Sequence, residues 1–339
     1  MNFITRVVAL LTLLSAPVAM GGTLTHHTDQ TLEYWVFTPS SYDGSQAYPL
    51  VVYLHGCNQT APDVAVGTRW NAIAEAHDAL VVYPAQRSGF IAPLTAGNAT
   101  RCWNFQSPGD IVRERGEAKL IADVTRHVIA AWNVDADRVF VSGASAGGAM
   151  VPVMAATYPD LFAAAAVLAG CPYAACTDTT GAAAFQAMGA HARMVPMMIV
   201  HGTADEVTAY PLGEALVQEW LGVADLSDDG LMNHSVSRGW AAIENYGWNA
   251  PSPFSGDACV YPGAPNRFPC PGGLIGFPGT YPYTVRRYVD AIGRSIVDFW
   301  IIHFAGHGYV GGDPAGSFTD PLGPDITSAV WAFFAAHPR

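Results

Sequence analysis

Charge is scarce in this chain: only 13% of its 339 residues are Asp, Glu, Lys or Arg, while half are hydrophobic. That balance suits a large core under a weakly charged surface rich in glycine and proline. The 16 Lys and Arg are outnumbered by 28 Asp and Glu, and the resulting net charge of −12 argues against nucleic acid or an anionic membrane as partner. Beyond the first residues no stretch is long and apolar enough for a transmembrane helix, because the alanine-rich runs are broken by proline, glycine and charge. A Ser/Pro linker and low-complexity tracts are also missing, so the chain reads as one domain. Paired Cys and His at zinc-binding spacings are absent too, and neither a metal nor an organic cofactor is predicted. Nothing in the pattern specifies an oligomeric state.

What is present begins with a leader. Met1 to about Gly22 carries one basic residue, Arg6, then the apolar run Val7 to Leu14 and small residues around Ala19 and Gly21. It reads as a secretory signal peptide rather than a retained membrane anchor, leaving 23–339 as the mature chain, extracellular or periplasmic. Six cysteines in an exported chain predict three disulfides among fifteen possible pairings. Cys171 and Cys176 are close enough to pair locally, and Cys259 and Cys270 bracket a Pro/Gly-rich loop. That leaves Cys57 with Cys102.

The most informative stretch is Arg138 to Met150, a β-branched and aromatic run entering Gly143-Ala-Ser-Ala-Gly147 and then an alanine-rich run. Strand, tight turn and helix in that order are the context in which G-x-S-x-G lifts a nucleophile above the strand ends. Gly143 and Gly147 lack the Cβ that would obstruct the turn, and Ser145 is the candidate nucleophile. Around it strands and helices alternate. Leu32–Thr38, Leu50–Leu54, Leu80–Tyr83, Ala164–Leu168, Pro196–His201 and Ser295–His303 read as strands, with helices at Asn71–His77, Glu117–Trp132 and Ile326–Ala336. Continuous apolar strands between helices predict a mostly parallel sheet covered on both faces, and the serine turn specifies an α/β-hydrolase fold.

A serine needs a base, and the base an orienting acid, which in this fold follow in the order Ser, Asp/Glu, His. Asp205 stands just after a strand in His201-Gly-Thr-Ala-Asp205, with Glu206 as the second choice. His307 lies between Gly306 and Gly308 directly after the last strand. Its competitor His303 is expected to end that strand, and His201 to support the Asp205 loop. The oxyanion of acyl transfer requires backbone donors. Ala146 supplies one by position, and the turn Leu54-His-Gly-Cys-Asn-Gln59 assigns the other to the Cys57 amide. His26 and His27 have no supporting pattern and are expected in solvent.

Taken together, His55-Gly-Cys-x-Gln59, Cys102-Trp-Asn104, the Arg138–Met150 stretch, His201-Gly-Thr-Ala-Asp205 and Gly306-His-x-x-x-Gly-Gly312 resemble the catalytic domain of secreted polyhydroxybutyrate depolymerases and related esterases. The resemblance runs from about Leu50 to the C-terminus. It implies a secreted hydrolase of polyester or oligoester substrates, with Ser145, Asp205 and His307 as triad and Cys57 and Ala146 as oxyanion donors. It also supports the three disulfides. Where many relatives carry a tryptophan after the histidine, this chain has Tyr309, which with Trp103 and Trp248 is a candidate substrate contact. The aromatic-rich segment of about 211–283, which includes Trp220, reads as a loop-rich insertion lining the cleft, with an equal share of its aromatics expected to pack a small core of their own. Two other readings stand beside polyester hydrolysis: a feruloyl or acetyl esterase of plant polysaccharide, and a non-catalytic polymer-binding protein.

Overall fold

The computed structural model describes residues 21–88, 99–237, 239–246 and 281–339. Most of the expected leader, Trp248 and the Cys259 and Cys270 pair lie outside the described residues.

Strands β1 (Thr23–His27), β2 (Tyr34–Thr38), β3 (Tyr48–Leu54), β4 (Leu80–Pro84), β5 (Val134–Ala144), β6 (Ala164–Leu168), β7 (Met197–Gly202), β8 (Ala242–Tyr246), β9 (Tyr283–Val289) and β10 (Ser295–Ile302) make a single sheet ordered β1-β2-β4-β3-β5-β6-β7-β10-β9-β8. From β4 to β10 every neighbouring pair is parallel, and the pairs outside that block are antiparallel. The parallel strands are apolar at nearly every position because both faces are covered, so alternate residues enter different cores. Leu50, Val52 and Leu54 join one, while Val51 and Tyr53 join the other. Short strands β11 (Tyr309–Val310) and β12 (Thr319–Asp320) pair separately.

Helices α1 (Ala61–Gly67), α2 (Trp70–Ala76) and α8 (Ile326–Ala335) cover one face. The other lies under α3 (Gly116–Ala131), α4 (Ala146–Thr157), α6 (Ala182–Met188) and α7 (Pro211–Asp229). Between β6 and α6, α5 (Tyr173–Cys176) is one turn with Ala174 and Ala175 at positive φ. Helix α3 buries Ile121, Val124 and Val128, the face expected from its periodicity.

Helix α7 departs from expectation. The segment read as irregular from residue 211 opens with 19 helical residues, entered through Pro211 and ended by Gly230 in the left-handed region at φ 81°. Leu216, Val217, Trp220, Leu221 and Val223 are buried on it, so Trp220 belongs to the core under the sheet and not to a cleft wall. Strands β8 and β9 extend the same sheet beyond it. Among the described residues no helix is long and apolar enough to cross a membrane.

The parallel block has a directional consequence. The carboxyl ends of β3, β5, β7 and β10 share one edge, so the turns at His55, Ser145, Asp205 and His307 gather there from points far apart in the chain.

Candidate active site

Ser145 joins β5 to α4 at φ 58° and ψ −123°, a conformation that costs a non-glycine residue of order 1–3 kcal/mol. Its neighbours make the turn possible by lacking side chains. A Cβ on Gly147 would lie 2.0 Å from the Leu54 carbonyl oxygen, and one on Gly143 would lie 2.7 Å from the Gly147 backbone. The Ser145 amide donates to the Leu168 carbonyl at 3.0 Å, tying the turn to β6.

His307 lies 2.9 Å through Nε2 from Ser145 Oγ, and its Nδ1 lies 2.8 Å from Asp205 Oδ2. With Asp205 accepting at Nδ1–H, the unprotonated Nε2 faces the serine hydroxyl. The carboxylate is fully buried and further held. Its Oδ1 accepts from the Val207 and Thr208 amides at 2.9 Å each, and the Thr208 hydroxyl sits 2.8 Å from Oδ2. Burial works to raise the Asp205 pKa, but the His307 contact and these Thr208 and Val207 bonds outweigh it and hold the carboxyl below its ordinary value. His201, buried and kept neutral by burial, donates through Nε2 to the Thr208 carbonyl at 2.7 Å, supporting this loop as expected. Glu206 points into solvent. His303 bonds Thr284 Oγ1 at 2.9 Å at the end of β10, as its strand position implied. His26 is exposed, as expected, and stacks on Trp35 at 3.9 Å, while His27 is half-buried against Tyr34 at 5.0 Å.

The turn after β3 is held from several sides. His55 Nε2 accepts from the Gln86 amide at 3.0 Å, so the ring proton is on Nδ1, which donates to the Gly56 carbonyl at 2.8 Å. Burial drives the His55 pKa down to about 4, which keeps that tautomer neutral. Gly56 N–H donates to Gln59 Oε1 at 2.9 Å, and Gln59 Nε2 donates to the Ser317 carbonyl at 2.9 Å. The Asn58 amide bonds the Thr100 carbonyl at 2.6 Å, and Cys57 is joined to Cys102. The second disulfide joins Cys171 to Cys176, as expected. Ala146 is the first residue of α4, where an N–H has no partner within the helix.

Between these turns opens a largely apolar cleft of about 220 Å³, with Ser145, His307, Cys57, Tyr53, Tyr309 and Phe318 on its walls. Val207 and Phe318 stand exposed at its mouth. Of two expected substrate contacts, one lies behind the cleft and one on its wall. Trp103 is 1% exposed and its Nε1 donates to the His55 carbonyl at 3.0 Å, bracing the turn from behind. Tyr309 offers a ring edge to the cleft, but it is 4% exposed and its hydroxyl is 2.8 Å from Thr327 Oγ1. Sequence reasoning passed over Gln59 and Thr208 as supports. The available signal concerned Asp205 alone, since an aspartate in a turn accepts the backbone amide two residues on, here that of Val207.

A mostly parallel sheet with helices on both faces, and a serine lifted on a strand-to-helix turn opposite a histidine, define an α/β-hydrolase. The chain belongs to the Esterase PHB depolymerase family, whose profile matches residues 32–228. It is 46% identical over 134 residues to poly(3-hydroxyalkanoate) depolymerase C of Paucimonas lemoignei, covering 40% of this chain and 30% of that protein. Feruloyl esterase B of Neurospora crassa is 35% identical over 137 residues, 40% of this chain and 44% of the relative. The chain therefore spans less than half the length of either. A probable acetylxylan esterase A of Aspergillus clavatus is 28% identical over 222 residues, 64% of this chain and 68% of its own. Among solved structures, the acetyl xylan esterase from Aspergillus awamori superposes with a TM-score of 0.62 over 93% of this chain and 100% of that one, at 19% identity, a likeness of fold.

Proposed function

We propose that this chain is a secreted serine carboxylic ester hydrolase that cleaves polyhydroxyalkanoate esters, residues 23–339 forming one catalytic domain. The observation that carries the reading is the unbroken line of hydrogen bonds from Ser145 through His307 to Asp205 beside the amides of Cys57 and Ala146. His307 takes the Ser145 proton as Oγ attacks the ester carbonyl, and Asp205 stabilises the imidazolium. The two amides meet the oxyanion, the alcohol leaves with the proton from His307, and water activated by the same histidine releases the acid. The substrate class rests on the 46% identity to a poly(3-hydroxyalkanoate) depolymerase and on a cleft whose walls are mainly apolar.

Clearing of an amorphous polyhydroxybutyrate suspension, with release of hydroxybutyrate oligomers, is the expected activity, and it disappears in Ser145→Ala while the fold is retained. Wild-type rates in a folded Ser145→Ala protein would remove the assignment. A second reading, hydrolysis of acetyl esters on polysaccharide, is favoured by similarity to an acetylxylan esterase across 64% of the chain. Release of acetate from acetylated xylan without clearing of polyester would select it.

A further inference from the structure

The turn after β3 separates the cleft from a second cavity of about 480 Å³. Gly56 to Gln59 face the cleft, whereas His55 and Thr60 face the second cavity, whose other walls include Glu33, Trp35, Arg87 and Arg101. Both open at the same edge of the sheet. Strand β2 runs antiparallel to β4, with Tyr34 opposite Pro84, so Glu33 and Trp35 stand beside the residues that leave β4. Arg101 is fixed to the turn by its chain neighbours. Cys102 is bonded to Cys57, and the Thr100 carbonyl accepts from the Asn58 amide.

The charge in this cavity runs against that of the molecule. In a chain of net charge −12, two guanidinium groups line it without a carboxylate partner among the described residues. Arg101 is half-buried and makes neither an ion pair nor a hydrogen bond to a described residue. Among the described residues the Arg87 guanidinium donates to the neutral Thr31 carbonyl. The carboxylate on the wall, Glu33, is 44% exposed and lies 3.3 Å from His26. His55 adds no charge, because it is neutral. A half-dehydrated guanidinium presents a planar fork of donors that matches a carboxylate.

We propose that the cavity is a carboxylate subsite in which Arg101, assisted by Arg87, holds a free carboxylate of an ester whose scissile bond lies at Ser145. The proposal rests on the ester hydrolase reading and specifies the end of the substrate that is recognised. In an oligoester of a hydroxy acid the free carboxylate belongs to the unit that leaves as alcohol. Its capture directs the leaving group toward the 55–60 turn and the acyl group into the smaller apolar cleft. A uronic acid on acetylated xylan offers the same chemistry.

The test compares 3-hydroxybutyrate trimer with its methyl ester, and acetylated xylo-oligosaccharides with and without a uronic acid. Arg101→Gln is expected to raise KM about tenfold for the acid member of one pair and less than twofold for its neutral member, since a bond to a charged group is lost. Arg101→Lys keeps part of the preference. A rise confined to the trimer acid assigns the subsite to oligoester ends, and one confined to the uronic acid assigns it to polysaccharide. Equal effects on acid and neutral members in a folded variant, or none, overturn the proposal. A variant that misfolds loses both members alike, and Arg87→Gln then carries the comparison. Inactivity of the wild type on every ester would instead strike the hydrolase reading itself.

Discussion

Gln59 occupies a hinge between two turns: its Oε1 accepts the Gly56 amide and its Nε2 donates to the Ser317 carbonyl, 258 residues away in sequence. The donor that follows Gly56 is the Cys57 amide, so the orientation of the proposed oxyanion site depends on a side chain that need not touch the substrate. Gln59→Leu leaves the buried Gly56 amide unpaired. It is expected to lower kcat by about 10- to 100-fold with little change in KM, read on a short soluble ester. Thr208→Val removes one contact to Asp205 but leaves the two amides, so a loss of about tenfold is expected, against about 10³- to 10⁴-fold for Asp205→Asn, which upsets the His307 tautomer. These positions also mark where sequence reading stops. Ser145, Asp205 and His307 each follow an apolar strand, a local pattern that points to the sheet edge where the structure gathers them. Gln59 and His55 take their roles from bonds to Ser317, Gln86 and Trp103, and contacts across such separations leave no periodicity.

The same division holds for elements. The parallel strands and α3 were legible because each is a clean run or face, while α7 was obscured by the aromatics and turn residues that follow it. Its Pro211 entry, Gly230 exit and buried Leu216, Val217, Trp220 and Leu221 were all visible, but the residues beyond drew the whole segment into one irregular reading. The two described disulfides differ in what they tie. Cys57–Cys102 closes 45 residues and Cys171–Cys176 closes 5, so chain entropy assigns them about 4 and about 2 kcal/mol. Replacing both members of the first pair by serine should lower unfolding free energy by about twice as much as replacing the second. The first replacement should also reduce kcat, because it loosens the turn that carries the Cys57 amide. Urea titration and turnover of the two double variants check the contrast; equal losses of turnover would mean that the first disulfide does not hold the oxyanion donor.

At the scale of the molecule, two buried groups set opposing pH dependences. His55 titrates near 4 in the folded chain against 6.5 when solvated, so protons bind the unfolded state first as pH falls. Its contribution is complete above about pH 6.5 and is lost between there and pH 4, an effect of about 3 kcal/mol at about 1.4 kcal/mol per unit. Glu219 lies fully buried on α7, with Oε1 accepting from the Tyr173 amide at 2.8 Å and Oε2 without a hydrogen-bond partner among the described residues. Burial pushes its pKa well above 4.5, so the native state keeps the proton that the unfolded state releases. The stability it lends is present below about pH 4.5 and declines as pH rises above it. Between pH 4.5 and 6.5 the two slopes oppose each other and flatten the wild-type curve. Glu219→Gln keeps the bond from Tyr173 and removes the titration, leaving His55 unopposed. The variant should gain more melting temperature over wild type at pH 7 than at pH 4.5, and its own curve should fall more steeply on acidification. Melting scans at half-unit pH intervals measure both slopes, and parallel curves for the two proteins would mean that Glu219 is ionised in the folded chain.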